Sequence, residues 1–345
     1  MATRSSGMQS DKYGDIAEIT RGLRVVLPGK LLVLRPLPGT ATGPSVREMI
    51  LGSEGRLGVI TEVTAQVHRV PENRVILGYL FPSWEAGLAA MQEISTSDAR
   101  PSVTRVSDAA ETAFSFATRK KSTGVSISSL VSKGLFAVLE KRGWQMDAAC
   151  LSFIGYEANS MLTMTREKAI VRKIVGKHGG IVLGKGPGVL YDQKKFDTPY
   201  IRDFLLDRGA TADVSDTSAP WSQLLPLYNA AIASVRKAYA ELGVTGYVMC
   251  HLSHSAHSGA CLYFTFAFGG HDGVDPQVQY DVVKGAIQQT FVDQAGTLSH
   301  HHAVGTEHAQ WLEQDISAPG VHFLDGLFTA VDPGQNFNPG KIVVK

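Results

Sequence analysis

The chain has 345 residues, 44% of them hydrophobic and 19% charged, with a formal net charge of +1. That size and balance suit one large core or two moderate ones, and the lack of a basic excess argues against nucleic acid as a partner. No apolar run reaches the roughly 18 residues of a membrane-spanning helix. The three cysteines, Cys150, Cys250 and Cys261, are too scattered for a disulfide framework or a zinc motif, so a reducing, cytoplasmic setting is expected.

Met1–Gly7 leads almost directly into Tyr13-Gly14-Asp15-Ile16 without a polar tail. This reads as the middle of a domain whose front part lies outside the sequence. Strands are expected over Ile16–Thr20, Leu23–Leu27 and Leu31–Leu34, with a turn at Pro28-Gly29. A short helix over 44–52 follows, with Pro44 near its start. The glycine-rich loop Gly52-Ser53-Glu54-Gly55-Arg56-Leu57-Gly58 then feeds a strand over Val59–Val67. Glycines let backbone amides approach a ligand and form an anion-binding concavity. The loop is neither a G-x-G-x-x-G fingerprint nor a Walker loop, and on spacing alone a plain tight turn is the simpler reading.

From residue 75 strands alternate with single helices. The expected units are Val75–Phe81 with 84–97, Val103–Val106 with 108–119, Ala149–Tyr156 with 158–176, and Thr211–Val214 with 219–242. Ser218 reads as the N-cap of the last helix, with Pro220 in its first turn. Strands Tyr247–Leu252 and Ala260–Phe268, a helix over 275–293 and a run of turns over 331–341 complete the chain. The expected fold class is α+β, an antiparallel sheet with helices on one face.

Three of the 11 histidines, His300, His301 and His302, are adjacent. Three imidazoles are costly to bury together, since each needs hydrogen-bond partners and titrates near neutral pH. Such a cluster points to a metal site or a catalytic lining. His251, His254 and His257 form a second group. No Asp or Glu stands beside either group, and adjacent side chains diverge in extended backbone. Two rings facing a substrate therefore fit better than three rings on one ion, and no metal is expected.

Along 260–268 side chains alternate, so Leu262, Phe264, Phe266 and Phe268 face the core under the helices. Cys261, Tyr263, Thr265 and Ala267 face the other way. Tyr263 reads either as a half-buried, hydrogen-bonded phenol or as a cavity-lining group. In the second case it could shuttle a proton if cations lower its pKa from ~10. His251 falls on a strand that could pair beside Tyr263. Arg105 near Asp108 and Arg202 next to Asp203 read as solvated pairs worth under ~1 kcal/mol, or as planar forks aimed at a phosphate.

Together these motifs resemble the alkyldihydroxyacetonephosphate synthases, flavoproteins of the vanillyl-alcohol oxidase superfamily. The matching stretches are Thr3-Arg4-Ser5-Ser6-Gly7-Met8, Tyr13-Gly14-Asp15-Ile16, Met49–Glu62 around the glycine loop, Tyr200-Ile201-Arg202-Asp203, Thr217-Ser218-Ala219-Pro220-Trp221, Gly259–Phe264 and Leu298–Gly305. The glycine loop is shared widely in the superfamily, whereas the triple histidine with the tyrosine strand is specific to the synthases.

The resemblance implies FAD, contacted by Thr3, Arg4, Ser5 and Ser6 and by Glu54, Gly55, Arg56, Leu57, Gly58, Val59 and Ile60. It implies that Tyr263 is the acid/base and that His300, His301 and His302 line the site and are needed for activity. Arg202 would bind the substrate phosphate, and Arg105 would be a further arginine on which activity depends. His251 stands where the family's eukaryotic members carry an arginine and is expected at the substrate. The implied domains are 1–70, the C-terminal part of a PCMH-type FAD-binding domain; 71–297, an α+β cap; and 298–345, a segment returning to the FAD domain. The front of the FAD domain, with its pyrophosphate-binding loop, would lie outside the sequence. The implied reaction replaces the acyl group of acyl-dihydroxyacetone phosphate by a long-chain alcohol without net redox change. A homodimer and peripheral membrane contact are further expectations. The alternatives are an FAD-linked 2-hydroxyacid oxidase or dehydrogenase, whose His-x-Gly-Asp-Gly-Asn spacing is missing here, and an inactive remnant.

Overall fold

The computed structural model describes residues 1–117, 134, 136–194, 200–271 and 273–344. Its first element is a helical turn, α1 (Ser10–Tyr13). The strand expected at Ile16–Thr20 is instead a short helix, α2 (Ile16–Ile19). The reason is local: Asp15 accepts the amides of Ala17 and Glu18, and the Glu18 carboxylate accepts the Asp15 amide. This capping box satisfies donors that a strand would have to pair elsewhere.

Strands β1 (Thr20–Leu27) and β2 (Lys30–Leu34) form the expected hairpin. After α3 (Val46–Ile50), β3 (Val59–Ala65) pairs on the other side of β1, giving the order β2-β1-β3. The Ser45 side chain caps α3.

The larger sheet is built from β4 (Asn73–Phe81), β5 (Val103–Ser107), β6 (Cys150–Ala158), β7 (Ile181–Gly184), β8 (Ala210–Pro220), β9 (Gly246–Ser255) and β10 (Gly259–Gly269). Their order is β7-β4-β6-β5-β9-β10-β8, with every pairing antiparallel. Helices α4 (Trp84–Ser95), α6 (Met161–Lys177), α9 (Trp221–Leu242) and α10 (Pro276–Asp293) pack on one face, as the alternation in β10 requires. There Phe264 and Phe266 meet Leu224, Leu227 and Phe291. A fully buried phenylalanine contributes about 1.5–3 kcal/mol. Helix α5 (Ala109–Ala117) follows β5, and the last two residues of the helix expected over 108–119 lie outside the described residues.

Among the described residues, the helices not foreseen include α7 (Lys185–Lys194), α8 (Tyr200–Leu206) and α11 (Leu312–Val331). Near the β7–β4 end the second face carries its own small cluster, with Leu80, Leu151 and Phe153 packed by Leu139 and Tyr191. Strand β8 also corrects an expectation. It continues through Ser215, Asp216, Thr217 and Ser218 to Pro220, so Ser218 pairs with Cys261 and does not cap α9. A polar run reads as a cap in isolation, but a neighbouring strand can supply its hydrogen bonds.

A second core joins Leu23, Val25, Ile50, Leu51 and Leu57 to Leu298, Trp311, Leu312, Phe328 and Ile342. The C-terminal segment thus packs on the front strands, and the chain from 298 to 305 bridges this core and the large sheet.

Candidate active site

The register of three strands builds the site. On β10, Tyr263 lies opposite Asp216 of β8 on one side and His251 of β9 on the other. All three belong to the face away from the four long helices. The Tyr263 ring stacks on His251 at 4.9 Å between centroids and on His301 at 5.8 Å, and meets His302 edge-on at 5.3 Å. His254, two-sided in its contacts, stacks on His300 at 5.2 Å and meets His301 edge-on at 5.7 Å. The two histidine groups and the tyrosine therefore form one aromatic cluster. His257 is exposed in the β9–β10 turn, outside it.

Asp216 holds the triplet, and sequence reasoning missed it. Its Oδ2 accepts the backbone amides of His300 and His301, both at 2.8 Å. Its Oδ1 accepts the Ser299 hydroxyl at 3.0 Å. The His301 Nδ1 is 3.1 Å from Oδ2 and the His302 Nδ1 2.7 Å from Oδ1. Burial opposes its charge, but the bonds to His301 and His302 hold the carboxyl far below the usual range. The absence of an acidic neighbour in the sequence was thus misleading: Asp216, Glu111 and Asp11 arrive from distant strands and helices.

Burial, followed by the Asp216 charge, pushes the Tyr263 phenol up to about 12. The lowering that proton shuttling would call for does not occur, so the resting phenol is protonated. His300 is pushed down to about 4 by burial, then by the neighbouring His254 and His301. His251 is also pushed down to about 4, by burial and then by Arg105.

Arg105 does not pair with Asp108. Its guanidinium forms an ion pair with Glu111 and lies 3.1 Å from the His251 Nδ1, which is 2.8 Å from the other Glu111 oxygen. The coulombic pull of His251 and Arg105 outweighs burial and holds Glu111 at about 2. Asp108 instead accepts the Glu111 amide at 2.7 Å, the Tyr228 hydroxyl at 3.0 Å and the Cys250 amide at 2.9 Å, and burial raises it to about 7. Arg202 is exposed on α8, and among the described residues no hydrogen bond or ion pair joins it to the ring cluster.

The front segments converge on the same place. The Ser5 hydroxyl donates to the His301 carbonyl at 3.0 Å. The Glu54 amide donates to the Ala2 carbonyl at 2.8 Å. The Glu54 carboxylate turns away from its own loop and accepts the amides of Val304 at 2.8 Å and Gly305 at 2.9 Å. Arg4 pairs with Glu48 at 2.9 Å, Leu57 is buried in the second core, and Val59 and Ile60 open β3, with Val59 exposed. Gly58, at φ +129°, needs its missing side chain, because a Cβ there would lie 2.3 Å from the Val26 carbonyl oxygen.

Donor atoms of Asp216, Cys261, His300 and His301 lie within 4.8 Å of one another. The carboxylate already receives hydrogens from three backbone or hydroxyl donors and two rings, which fills its roughly four acceptor sites. Burial also raises the Cys261 thiol well above its usual range. This chemistry describes a hydrogen-bonded anchor better than an ion's ligand shell.

The family model for FAD linked oxidases, C-terminal domain, matches residues 70–342. The chain belongs to that family, and its cofactor is FAD. More closely, it is similar to the alkyldihydroxyacetonephosphate synthases. The synthase of Dictyostelium discoideum is 35% identical over 345 residues, covering 99% of this chain and 56% of that protein. The synthase of Trypanosoma brucei brucei is 33% identical, covering 99% and 55%. A solved alkyldihydroxyacetonephosphate synthase structure superposes with a TM-score of 0.78 at 32% identity, covering 98% of this chain and 57% of that one. The chain thus spans about half the length of the curated relatives it matches.

The front segments suit such a cofactor. The amides of Gly55 and Leu57 have no backbone partner among the described residues. The exposed Thr3 and Ser5 hydroxyls bond only 3.0 Å apart. Arg56 is 6% exposed, has no carboxylate partner among the described residues, and leaves its Nε unbonded over the Phe328 ring. A phosphate-bearing dinucleotide supplies the acceptors and negative charge that Arg56 and the Gly55 and Leu57 amides lack.

Proposed function

We propose that the chain is the catalytic part of an FAD-dependent alkylglycerone-phosphate synthase-like enzyme. Acyl-dihydroxyacetone phosphate and a long-chain alcohol would exchange to give the alkyl ether and the free fatty acid. The carbon–oxygen bond to the acyl group breaks, the bond to the alcohol oxygen forms, and the alcohol proton leaves with the carboxylate, so no net oxidation occurs. The observation that carries the reading is the stacking of Tyr263 on His251 and on His301, beside the Ser5 and Glu54 segments.

When bound, FAD would supply the electron-poor ring needed to activate the substrate carbon. The protein's own part is proton handling and positioning. Tyr263, protonated at rest, is suited to donate to the departing carboxylate oxygen. The imidazoles are suited to receive the proton taken from the substrate carbon. Thr3, Ser5, Arg56 and the Gly55 and Leu57 amides are the groups suited to hold the dinucleotide. Arg202, exposed near the start of β8, is the cation available for a substrate phosphate, because Arg105 is already matched by Glu111.

The test is turnover of acyl-dihydroxyacetone phosphate with a radiolabelled long-chain alcohol by the FAD-loaded protein. Labelled ether lipid should form with the wild type, and Tyr263→Phe should bind FAD with an unchanged spectrum yet form none. Ether formation by the Phe variant at the wild-type rate removes Tyr263 from the mechanism. Flavin bleaching by a 2-hydroxyacid, with no ether product, replaces this reading with a dehydrogenase.

A further inference from the structure

Asp216 is the most heavily bonded residue of the ring cluster, and the proposed exchange gives it no direct contact with substrate. It is 1% exposed. Its bonds to the amides of His300 and His301 fix where the triplet lies. Its two ring contacts do something different. An ionised carboxylate accepts hydrogen bonds and cannot donate them. The Nδ1 atoms of His301, at 3.1 Å, and of His302, at 2.7 Å, must therefore each carry hydrogen. The other tautomer would set a ring lone pair against a buried negative oxygen. A neutral imidazole with hydrogen on Nδ1 carries its lone pair on Nε2.

His300 is the exception. Its Nδ1 lies 3.1 Å from the His301 Nδ1, and one hydrogen serves that contact. Were it on His300, the His301 nitrogen would meet the carboxylate with a lone pair. The hydrogen therefore sits on His301, whose single Nδ1–H is shared between Asp216 and His300; His300, accepting at Nδ1, keeps its own hydrogen on Nε2.

We propose that Asp216 is the positioning residue of this site: it locks His301 and His302 in the Nδ1–H tautomer, so that both Nε2 atoms point away from it as acceptors, while His300 presents an Nε2–H donor. The site then offers two proton acceptors and one donor in a set order. That suits a substrate that gives up a proton from carbon next to an oxygen needing a donor. The use of these acceptors rests on the ether-exchange reading; the tautomers do not.

The test is nitrogen-15 NMR of the full chain with labelled histidine at neutral pH. Long-range ring correlations separate the Nδ1–H, Nε2–H and doubly protonated forms, and the single variants His301→Gln and His302→Gln assign the signals. Wild type should show His301 and His302 as Nδ1–H and His300 as Nε2–H. Asp216→Asn presents an amide donor and should convert at least one of the two rings to Nε2–H, whereas Asp216→Glu should keep both. In turnover, Asp216→Asn should lower kcat about 100-fold with KM unchanged, and Asp216→Glu should recover most of the loss. An Nε2–H form of His301 or His302 in the wild type overturns the proposal, and that spectrum requires no variant to fold. The expected spectrum in a wild type that forms no ether product overturns the reaction reading instead.

Discussion

Gly305 donates its backbone N–H to both oxygens of the Glu54 carboxylate, at 3.1 and 2.9 Å, across the gap between the glycine loop and the histidine segment. The loop residue with φ +50° thus helps hold the far end of the triplet, while Asp216 holds the near end. Glu54→Gln leaves one donor facing another. A hydrogen bond to a charged group contributes about 1.5–3 kcal/mol, so the variant should lose about that much stability. Hydrogen exchange should quicken at Val304 and Gly305. Unchanged protection at these two amides would show that the carboxylate is not their anchor.

The glycine loop separates two effects of a side chain. At Gly58 a Cβ would meet the Val26 carbonyl oxygen at 2.3 Å, whereas at Gly55 the nearest atom is the Asn338 Cβ at 3.5 Å, although both have positive φ. Gly55→Ala should cost about 1–2 kcal/mol from backbone strain alone. Gly58→Ala should cost more, because backbone must move. Urea unfolding of the two variants checks the ranking, and equal midpoints would refute it.

Acid should weaken the fold through its buried histidines. The folded His251 and His300 sit near 4, below the ordinary histidine value of 6.5. The unfolded chain therefore binds more protons than the native one as pH falls from about 6.5 to 4, and stability falls with it. At full development each ring accounts for about 3 kcal/mol. Asp108, raised to about 7, runs the other way over an overlapping window. The clean measurement is a difference: His300→Gln should show a shallower loss of unfolding free energy than wild type between pH 6.5 and 4. A steeper loss would reverse the sign of the argument.

Glu111 is the shared acceptor of Arg105 and His251, and all three are largely buried. Replacing it by Gln removes the only carboxylate that Arg105 contacts among the described residues and leaves a buried cation. Breaking such a pair from one side costs about 3–5 kcal/mol. The loss should shrink in the double variant Glu111→Gln with Arg105→Met, and a double-mutant cycle showing no coupling would mean that the pair is not energetically linked.

The tyrosine row was legible because strand alternation assigns Tyr263 and the phenylalanines to opposite faces without knowledge of the partners. The strand pairing of Tyr263 with His251 was also within reach, since a short turn separates β9 from β10. Asp216 was not legible. It sits in a Ser-Asp-Thr-Ser run that reads as a helix cap, and its partners lie 84 and 85 positions away. Arg105 was assigned the wrong partner because Asp108 is nearer in sequence, while α5 turns Glu111 back toward the strand. The Asp15–Glu18 capping box was present in the sequence but was outweighed by the apolar residues around it. Helix α11 escaped notice because Pro319 and a break at Ser317, φ +68°, interrupt its pattern.

Tyr263 has two nearly parallel imidazole neighbours, at interplanar angles of 23° and 19°, and a third edge-on. A phenol crowded by three imidazoles has little room for its ring to flip. The freedom left to it is the torsion of a single hydrogen about the C–O bond, a motion that needs no displacement of heavy atoms. Whatever chemistry the phenol performs is thus set by where that hydrogen points, and the fold has arranged for almost nothing else in the residue to move.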